Sequence, residues 1–100
     1  MGAGDHAWIT GWGFGLQHSG TQPNCTLRVD QVEEGSHAFL AGLRVDDEIV
    51  SINREPSSSL SLSEAIALIK GSTDGLQLVV KRHLEEARLC LHLLDYHHWA

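Results

Sequence analysis

The 100-residue chain has few basic residues: seven Lys plus Arg stand against thirteen Asp plus Glu, which gives a formal net charge of −6. Nucleic-acid binding depends on clustered basic side chains that neutralise phosphates, and no such cluster is present. The same shortage disfavours binding to anionic lipid headgroups. The composition therefore argues against a nucleic-acid partner and makes a membrane lipid an unfavourable one.

Long apolar runs and cysteines are also scarce. The longest apolar stretches, around 76–80 and 89–94, are far shorter than the roughly 20 residues that a membrane-spanning helix needs. We find no N-terminal signal pattern and no lipidation motif. Cys25 and Cys90 are the only cysteines, which is not a disulfide framework and favours a reducing compartment. We therefore expect a cytoplasmic protein.

Motifs of catalysis and metal binding are missing as well. Nothing resembles a nucleophile elbow, a paired-histidine metal motif or a phosphate loop. His92, His97 and His98 lie near Cys90, but their spacing matches no standard zinc pattern. The acidic run 46–48 is interpreted as solvated surface. We expect no enzymatic activity, no cofactor and no bound metal.

Hydrophobic periodicity predicts one α+β domain, and 100 residues is a common size for a single domain. Two helices are expected: a short one capped by Ser36 and ended by Gly42, and a longer one over 61–70 ended by Gly71. Period-two alternation and turn residues predict strands at 6–10, 14–18, 26–32, 49–53 and 76–82.

The segment after Arg82 carries two competing patterns. One is a helical stripe formed by Leu84, Ala87, Leu91 and Leu94. The other is a strand-like alternation of Leu89, Leu91 and Leu93. We predict a helix over 84–95 and keep an extra strand as the alternative. In either case we expect the apolar stripe to pack on its own domain.

Four segments, in this order, resemble the PDZ domain family. They are Gly-Trp-Gly-Phe at 11–14, Val-Glu-Glu-Gly-Ser at 32–36, Ala-Gly-Leu-Arg-Val-Asp-Asp-Glu-Ile-Val-Ser-Ile-Asn at 41–53, and Ser-Glu-Ala-Ile-Ala-Leu-Ile-Lys at 63–70. The tryptophan in the loop is most similar to PDZ domains of cytoskeleton-associated scaffolds of the Shroom and PDZ-LIM groups. The resemblance places the domain at 6–82, between a loose N-terminus at 1–5 and a C-terminal extension at 83–100.

The resemblance implies a fold and a function. The fold is a partly open antiparallel β-barrel or sandwich of five to six strands with two helices, to which the predicted C-terminal helix is added. The function is non-catalytic capture of the free C-terminus of a partner by β-strand addition. Expected partners are C-terminal tails of membrane or cytoskeletal proteins, at the submembrane region or the actin cytoskeleton.

The resemblance also assigns residues to this binding. A terminal carboxylate needs converging N–H donors, which a glycine-rich turn can supply. The amides of Trp12, Gly13 and Phe14 are expected to hold the carboxylate. The strand expected to pair with the peptide consists of Phe14, Gly15, Leu16, Gln17 and His18.

An apolar pocket is expected for the last side chain of the ligand. Its predicted lining is Trp12, Phe14, Leu16, Ile66 and Ile69, although apolar residues at these spacings are also what a plain core requires. Such a pocket selects a terminal Val, Leu, Ile or Phe. Leu62 takes the position at which PDZ domains that prefer Ser or Thr two residues upstream carry a His. Because Leu62 offers no donor or acceptor, we expect a hydrophobic, class II-like preference.

Two features leave alternatives open. Many PDZ domains carry an Arg or Lys just before the loop, whereas this chain has none before Arg28, and His6 could substitute only when protonated. The rival function is self-association or inter-domain packing through the 84–99 tail, with a homodimer formed through the tail or the groove and the peptide groove weak or unoccupied.

Overall fold

The computed structural model describes residues 6–19, 26–72 and 74–94. Its helices are α1 (His37–Ala41) and α2 (Leu62–Lys70), with a short 3-10 helix at Ser57–Ser59. Its strands are β1 (His6–Ile9), β2 (Phe14–Ser19), β3 (Thr26–Val32), β4 (Glu48–Ile52), β5 (Glu55–Pro56), β6 (Gly75–Arg82) and β7 (Ala87–Leu94).

The strands form one antiparallel sheet in the order β1-β2-β3-β4-β6-β7, and the two-residue β5 pairs with β4. The α+β fold predicted from the sequence is confirmed. The described sheet has seven strands rather than five or six, because β5 and β7 add to the predicted set. No helix in the described part of the chain is long and apolar enough to cross a membrane.

The helices begin and end at residues with capping side chains or glycine, among them the predicted Ser36 and Gly42. The Ser36 hydroxyl accepts the N–H of Phe39 at 3.1 Å, and α1 ends at Gly42, whose φ of 100° lies in the left-handed region that favours glycine. Ser61 and Glu64 form a reciprocal capping box at the start of α2, since each side chain accepts the backbone N–H of the other residue. Both helices therefore begin where their local sequence predicts.

The core lies where α2 and the sheet bury their apolar side chains together. β3 shows the alternation that was predicted, with Leu27 and Val29 buried and their neighbours more exposed. The largest fully buried side chains are Phe14, Ile9, Leu16, Leu27, Ile49, Ile52, Ile69, Leu76, Leu78, Leu93, Val29 and Val80. The N-terminal strand thus contributes to the same core as the central strands.

The predicted C-terminal helix is wrong, because residues 87–94 form β7, which is the alternative that we kept. β7 pairs with β6 from Arg82 opposite Ala87 to Gly75 opposite Leu94. Leu93 is fully buried, while Leu84, which the helical stripe required to be buried, is fully exposed in the turn before β7. The edge of β6 offers a row of backbone donors and acceptors, and a strand satisfies that row whereas a helix does not. Residues 95–100 lie outside the described part.

A buried ion pair fixes the turn before β4 to the end of β6. Asp47 is 2% exposed, and its carboxylate accepts the N–H of Arg44 at 3.0 Å. The Arg82 guanidinium donates to the same carboxylate at 2.9 and 3.1 Å, and it also donates to the carbonyl of Gly42. The interpretation of 46–48 as solvated surface is therefore wrong for Asp47. Charge-assisted contacts compensate its burial.

We expect Leu93→Ala to lower the free energy of unfolding by about 2–5 kcal/mol, because it leaves a cavity at a fully buried position of β7. Leu84→Ala is the matched control, and it should change stability by less than about 0.5 kcal/mol because that side chain is fully exposed. Urea unfolding of the two variants measures the difference. Equal losses from both variants would contradict the packing of β7.

Candidate functional site

The loop at 10–13 joins β1 to β2 and is anchored through its carbonyl groups. The carbonyl of Trp12 accepts the N–H of Ala38 at 3.0 Å. That of Gly13 accepts the N–H of Glu33 at 2.8 Å and the hydroxyl of Ser36 at 3.3 Å. The segment from β3 to α1 therefore holds one side of the loop and leaves its N–H groups to turn the other way.

Gly13 is required at its place in this loop. Its φ is +84°, and a Cβ there would lie 2.2 Å from Cβ of Ser36. The ring of Trp12 beside it is 7% exposed and meets the ring of His37 edge-on, with centroids 5.6 Å apart. The loop is consequently packed tightly against the start of α1.

Two loop amides converge on one oxygen atom. The N–H groups of Trp12 and Gly13 both donate to the carbonyl oxygen of Ile9, at 3.3 and 2.8 Å. These are two of the three amides that the resemblance assigns to a ligand carboxylate. In this structure the hairpin turn itself uses both donors, and their role toward a ligand carboxylate stays a prediction.

The strand predicted to receive a peptide already has neighbours on both edges. β2 pairs antiparallel with β3 on one side and with β1 on the other. The β1 register runs from His6 opposite Gln17 to Ile9 opposite Phe14. The free edge that was predicted for β2 is therefore occupied by residues 6–9.

β1 lies where the peptide was expected. It runs antiparallel to β2, its C-terminal end reaches the 10–13 loop, and it contacts α2. The sequence analysis predicted a strand at 6–10 but not its place beside β2 and α2. The signal that could have found it is the four-residue separation from β2, a length typical of a β-hairpin.

The residues predicted to line the apolar pocket are buried in the core or packed against it. Phe14, Leu16 and Ile69 are fully buried, and Ile66 and Leu62 are partly buried against the same cluster. Ile9 belongs to that cluster and is 1% exposed. The structure therefore places the predicted residues in or against the same core as Ile9, and their role toward a ligand stays a prediction.

The opposite face of β1 is organised around Gly15. A Cβ at Gly15 would lie 2.6 Å from Oδ1 of Asp30 and 3.3 Å from the ring of Trp8. Nε2 of His6 lies 2.9 Å from Oδ2 of Asp30, and this contact is an ion pair when the imidazole carries a proton. His6 stands at the far end of β1 from the loop, so it does not replace the missing Arg or Lys beside the loop amides.

No metal centre emerges from the residues that the structure describes. Among residues 6–19, 26–72 and 74–94, no three His, Cys, Asp or Glu side chains are grouped so that they could hold an ion. Sγ of Cys90 lies 3.6 Å from Nε2 of His92. His97 and His98, named with them in the sequence analysis, lie outside the described residues.

Comparison with known proteins identifies the family of the chain. The family model of the PDZ domain matches residues 9–81. Mouse synaptopodin-2 is 45% identical over 87 residues, which are 82% of this chain and 8% of the relative. Human Shroom3 is 42% identical over 73 residues, covering 71% of this chain and 4% of the relative. Human PDZ and LIM domain protein 1 is 41% identical over 71 residues, covering 71% of this chain and 21% of the relative.

The fold is that of a small α+β domain in which two helices pack on one antiparallel sheet. The chain belongs to the PDZ domain family. It is accordingly a protein-interaction module, and it spans less than a tenth of the length of synaptopodin-2.

We expect Gly13→Ala to destabilise the protein, since a left-handed φ costs an alanine about 1–2 kcal/mol and the new Cβ also meets Ser36. Gly11→Ala in the same loop is the control, because a Cβ there has nothing within 4 Å. Thermal unfolding followed by circular dichroism compares the two. If Gly13→Ala were as stable as Gly11→Ala, the loop conformation described here would be wrong.

Proposed function

We propose that the domain captures the free C-terminus of a partner protein in the groove between β2 and α2. The N–H groups of Trp12, Gly13 and Phe14 hold the terminal carboxylate, and residues 14–18 pair with the peptide. The observation that carries the proposal is the convergence of the Trp12 and Gly13 amides on the Ile9 oxygen at the end of an antiparallel strand. A carboxylate oxygen satisfies the same two donors.

The preference of the groove for particular ligand side chains follows from the apolar residues that line it. Trp12, Phe14, Leu16 and Ile69 belong with Ile9 to one buried apolar cluster, and Ile66 packs against that cluster, which supports a terminal aliphatic residue in a ligand. Leu62 begins α2 and is partly buried against that cluster. Because it has no polar atom for a hydroxyl, a hydrophobic residue two positions upstream is favoured.

The partners that we propose are C-terminal tails of membrane or cytoskeletal proteins, met in the cytoplasm at the submembrane region or the actin cytoskeleton. The tryptophan form of the loop, which resembles that of the Shroom and PDZ-LIM groups, and the similarity of the chain to Shroom3 and PDZ and LIM domain protein 1 support this part of the proposal. Its net charge of −6 is consistent with a protein partner, because the domain offers little attraction to phosphate-rich ligands.

The rival function, self-association through the tail, has less support. Leu89 and Leu91 pack against the core from β7, and Leu93 belongs to the core itself. Of the leucines between 84 and 93, Leu84 alone is fully exposed. The apolar stripe that motivated this alternative is therefore largely used inside the domain.

A peptide with a terminal Ile and a free carboxylate should bind at least tenfold more tightly than its C-terminally amidated form. Hydrogen bonds to a charged acceptor contribute about 1.5–3 kcal/mol each, and about 1.4 kcal/mol corresponds to a factor of ten in affinity. Fluorescence anisotropy with both forms measures the ratio. Equal affinities would remove the carboxylate mechanism.

A further inference from the structure

The strand β1 has the features that the groove requires of a bound C-terminus. It pairs antiparallel with β2, it contacts α2, and it ends at the 10–13 loop. Its last residue is aliphatic: Ile9 is buried in the core cluster that includes Phe14 and Leu16, and its carbonyl oxygen accepts the N–H groups of Trp12 and Gly13. An external ligand that used these donors and this edge would meet β1 already in place.

We propose that β1 is a built-in ligand of the groove, which a partner must displace, and that its residues define the class of C-terminus that competes with it. This inference rests on the proposed function, since it concerns the regulation and the ligand class of the same groove. The domain is consequently self-inhibited, and its apparent affinity for a partner depends on the fraction of molecules in which β1 is out of the groove.

The ligand class follows from the direction of the side chains along β1. Ile9 and Ala7 point to one face and Trp8 and His6 to the other, because side chains alternate along a strand. Ile9 therefore indicates a ligand whose final residue is aliphatic, and Ala7 indicates a small apolar residue two positions before the end of that ligand. Trp8 lies opposite Gly15, which has no side chain in the way, so an aromatic residue fits the position before the last.

Covalent attachment gives β1 an advantage over a free peptide. A segment joined by a short loop competes at an effective concentration on the order of millimolar, without losing the freedom that a separate molecule loses on binding. The apparent dissociation constant of a peptide equals the intrinsic one divided by the fraction of molecules in which β1 has left the groove, so a small fraction weakens binding. A peptide that matched β1 contact for contact would therefore bind weakly.

A true C-terminus has a compensating advantage at the loop. β1 presents a neutral carbonyl oxygen to the amides of Trp12 and Gly13. A terminal carboxylate presents a charged acceptor, and charge-assisted hydrogen bonds are roughly twice as strong as neutral ones. A partner with a free terminus can thus displace β1, whereas an internal segment of similar sequence cannot.

An engineered disulfide between β1 and β2 tests the inference. His6 and Gln17 are directly opposite and both exposed, so His6→Cys/Gln17→Cys in a Cys25→Ser/Cys90→Ser background can close a bond that locks β1 in place. Gln17 is also opposite Arg28 of β3, so Gln17→Cys/Arg28→Cys is a matched control that links the other edge of β2. The probe is a labelled Asp-His-Ala-Trp-Ile peptide with a free carboxylate, titrated into oxidised and reduced protein.

We expect the oxidised His6→Cys/Gln17→Cys protein to bind the probe at least tenfold more weakly than its reduced form, and the control to bind equally in both states. His6→Ala in the same cysteine-free background removes the ion pair with Asp30 from an exposed position, so it should loosen β1 and bind the probe more tightly than that background itself.

Equal binding by the oxidised and reduced forms would overturn the inference and leave the proposed function standing. If the probe bound neither the reduced His6→Cys/Gln17→Cys protein nor His6→Ala, the proposed function would be overturned, and the inference with it. Circular dichroism of each variant verifies that the fold is retained, and the amidated probe, which should bind more weakly, verifies that binding depends on the carboxylate.

Discussion

The hydrogen bonds from the amides of Trp12 and Gly13 to the carbonyl of Ile9 are the constraint on which the rest of the site depends. They close the hairpin between β1 and β2 and place Ile9 opposite Phe14, which directs the Ile9 side chain into the core. The turn that permits them needs a left-handed residue in contact with Ser36, a position that only glycine fits. A single local geometry therefore sets both the conformation of the loop and the occupant of the groove.

Buried polar atoms need partners, and this requirement explains why β1 closes the groove. With β1 absent, the loop amides and one edge of β2 would lose their protein acceptors, and the apolar cluster around Phe14 and Leu16 would lose Ile9. An exposed strand edge invites pairing with other chains, so covering it also protects the domain from aggregation. The features that make the groove able to bind a partner are the same features that draw in the N-terminal strand.

The elements that could be predicted from the sequence are those whose causes are local. Ser36 and Gly42 delimit α1, and Ser61 with Glu64 starts α2, because each cap involves residues only a few positions apart. The structure of residues 87–94 could not be predicted in this way, since the leucines there fit both the helical and the strand period. Pairing with the open edge of β6 selected the strand. The burial of Asp47 depends on Arg82, and such a long-range pairing leaves no periodic mark on the sequence. The pairing of β1 with β2 is local, but periodicity alone does not say which strand edge β1 covers.

Hydrogen exchange of the backbone amides in the free, unmodified protein is the most direct measurement of the central claim. If the Ile9 carbonyl holds the loop, the amides of Trp12 and Gly13 exchange far more slowly than that of Gly11 in the same loop, with no peptide present. Exchange of Trp12 and Gly13 at the rate of an unstructured chain would contradict the account, because the loop amides would then be open to solvent and β1 would not fill the groove.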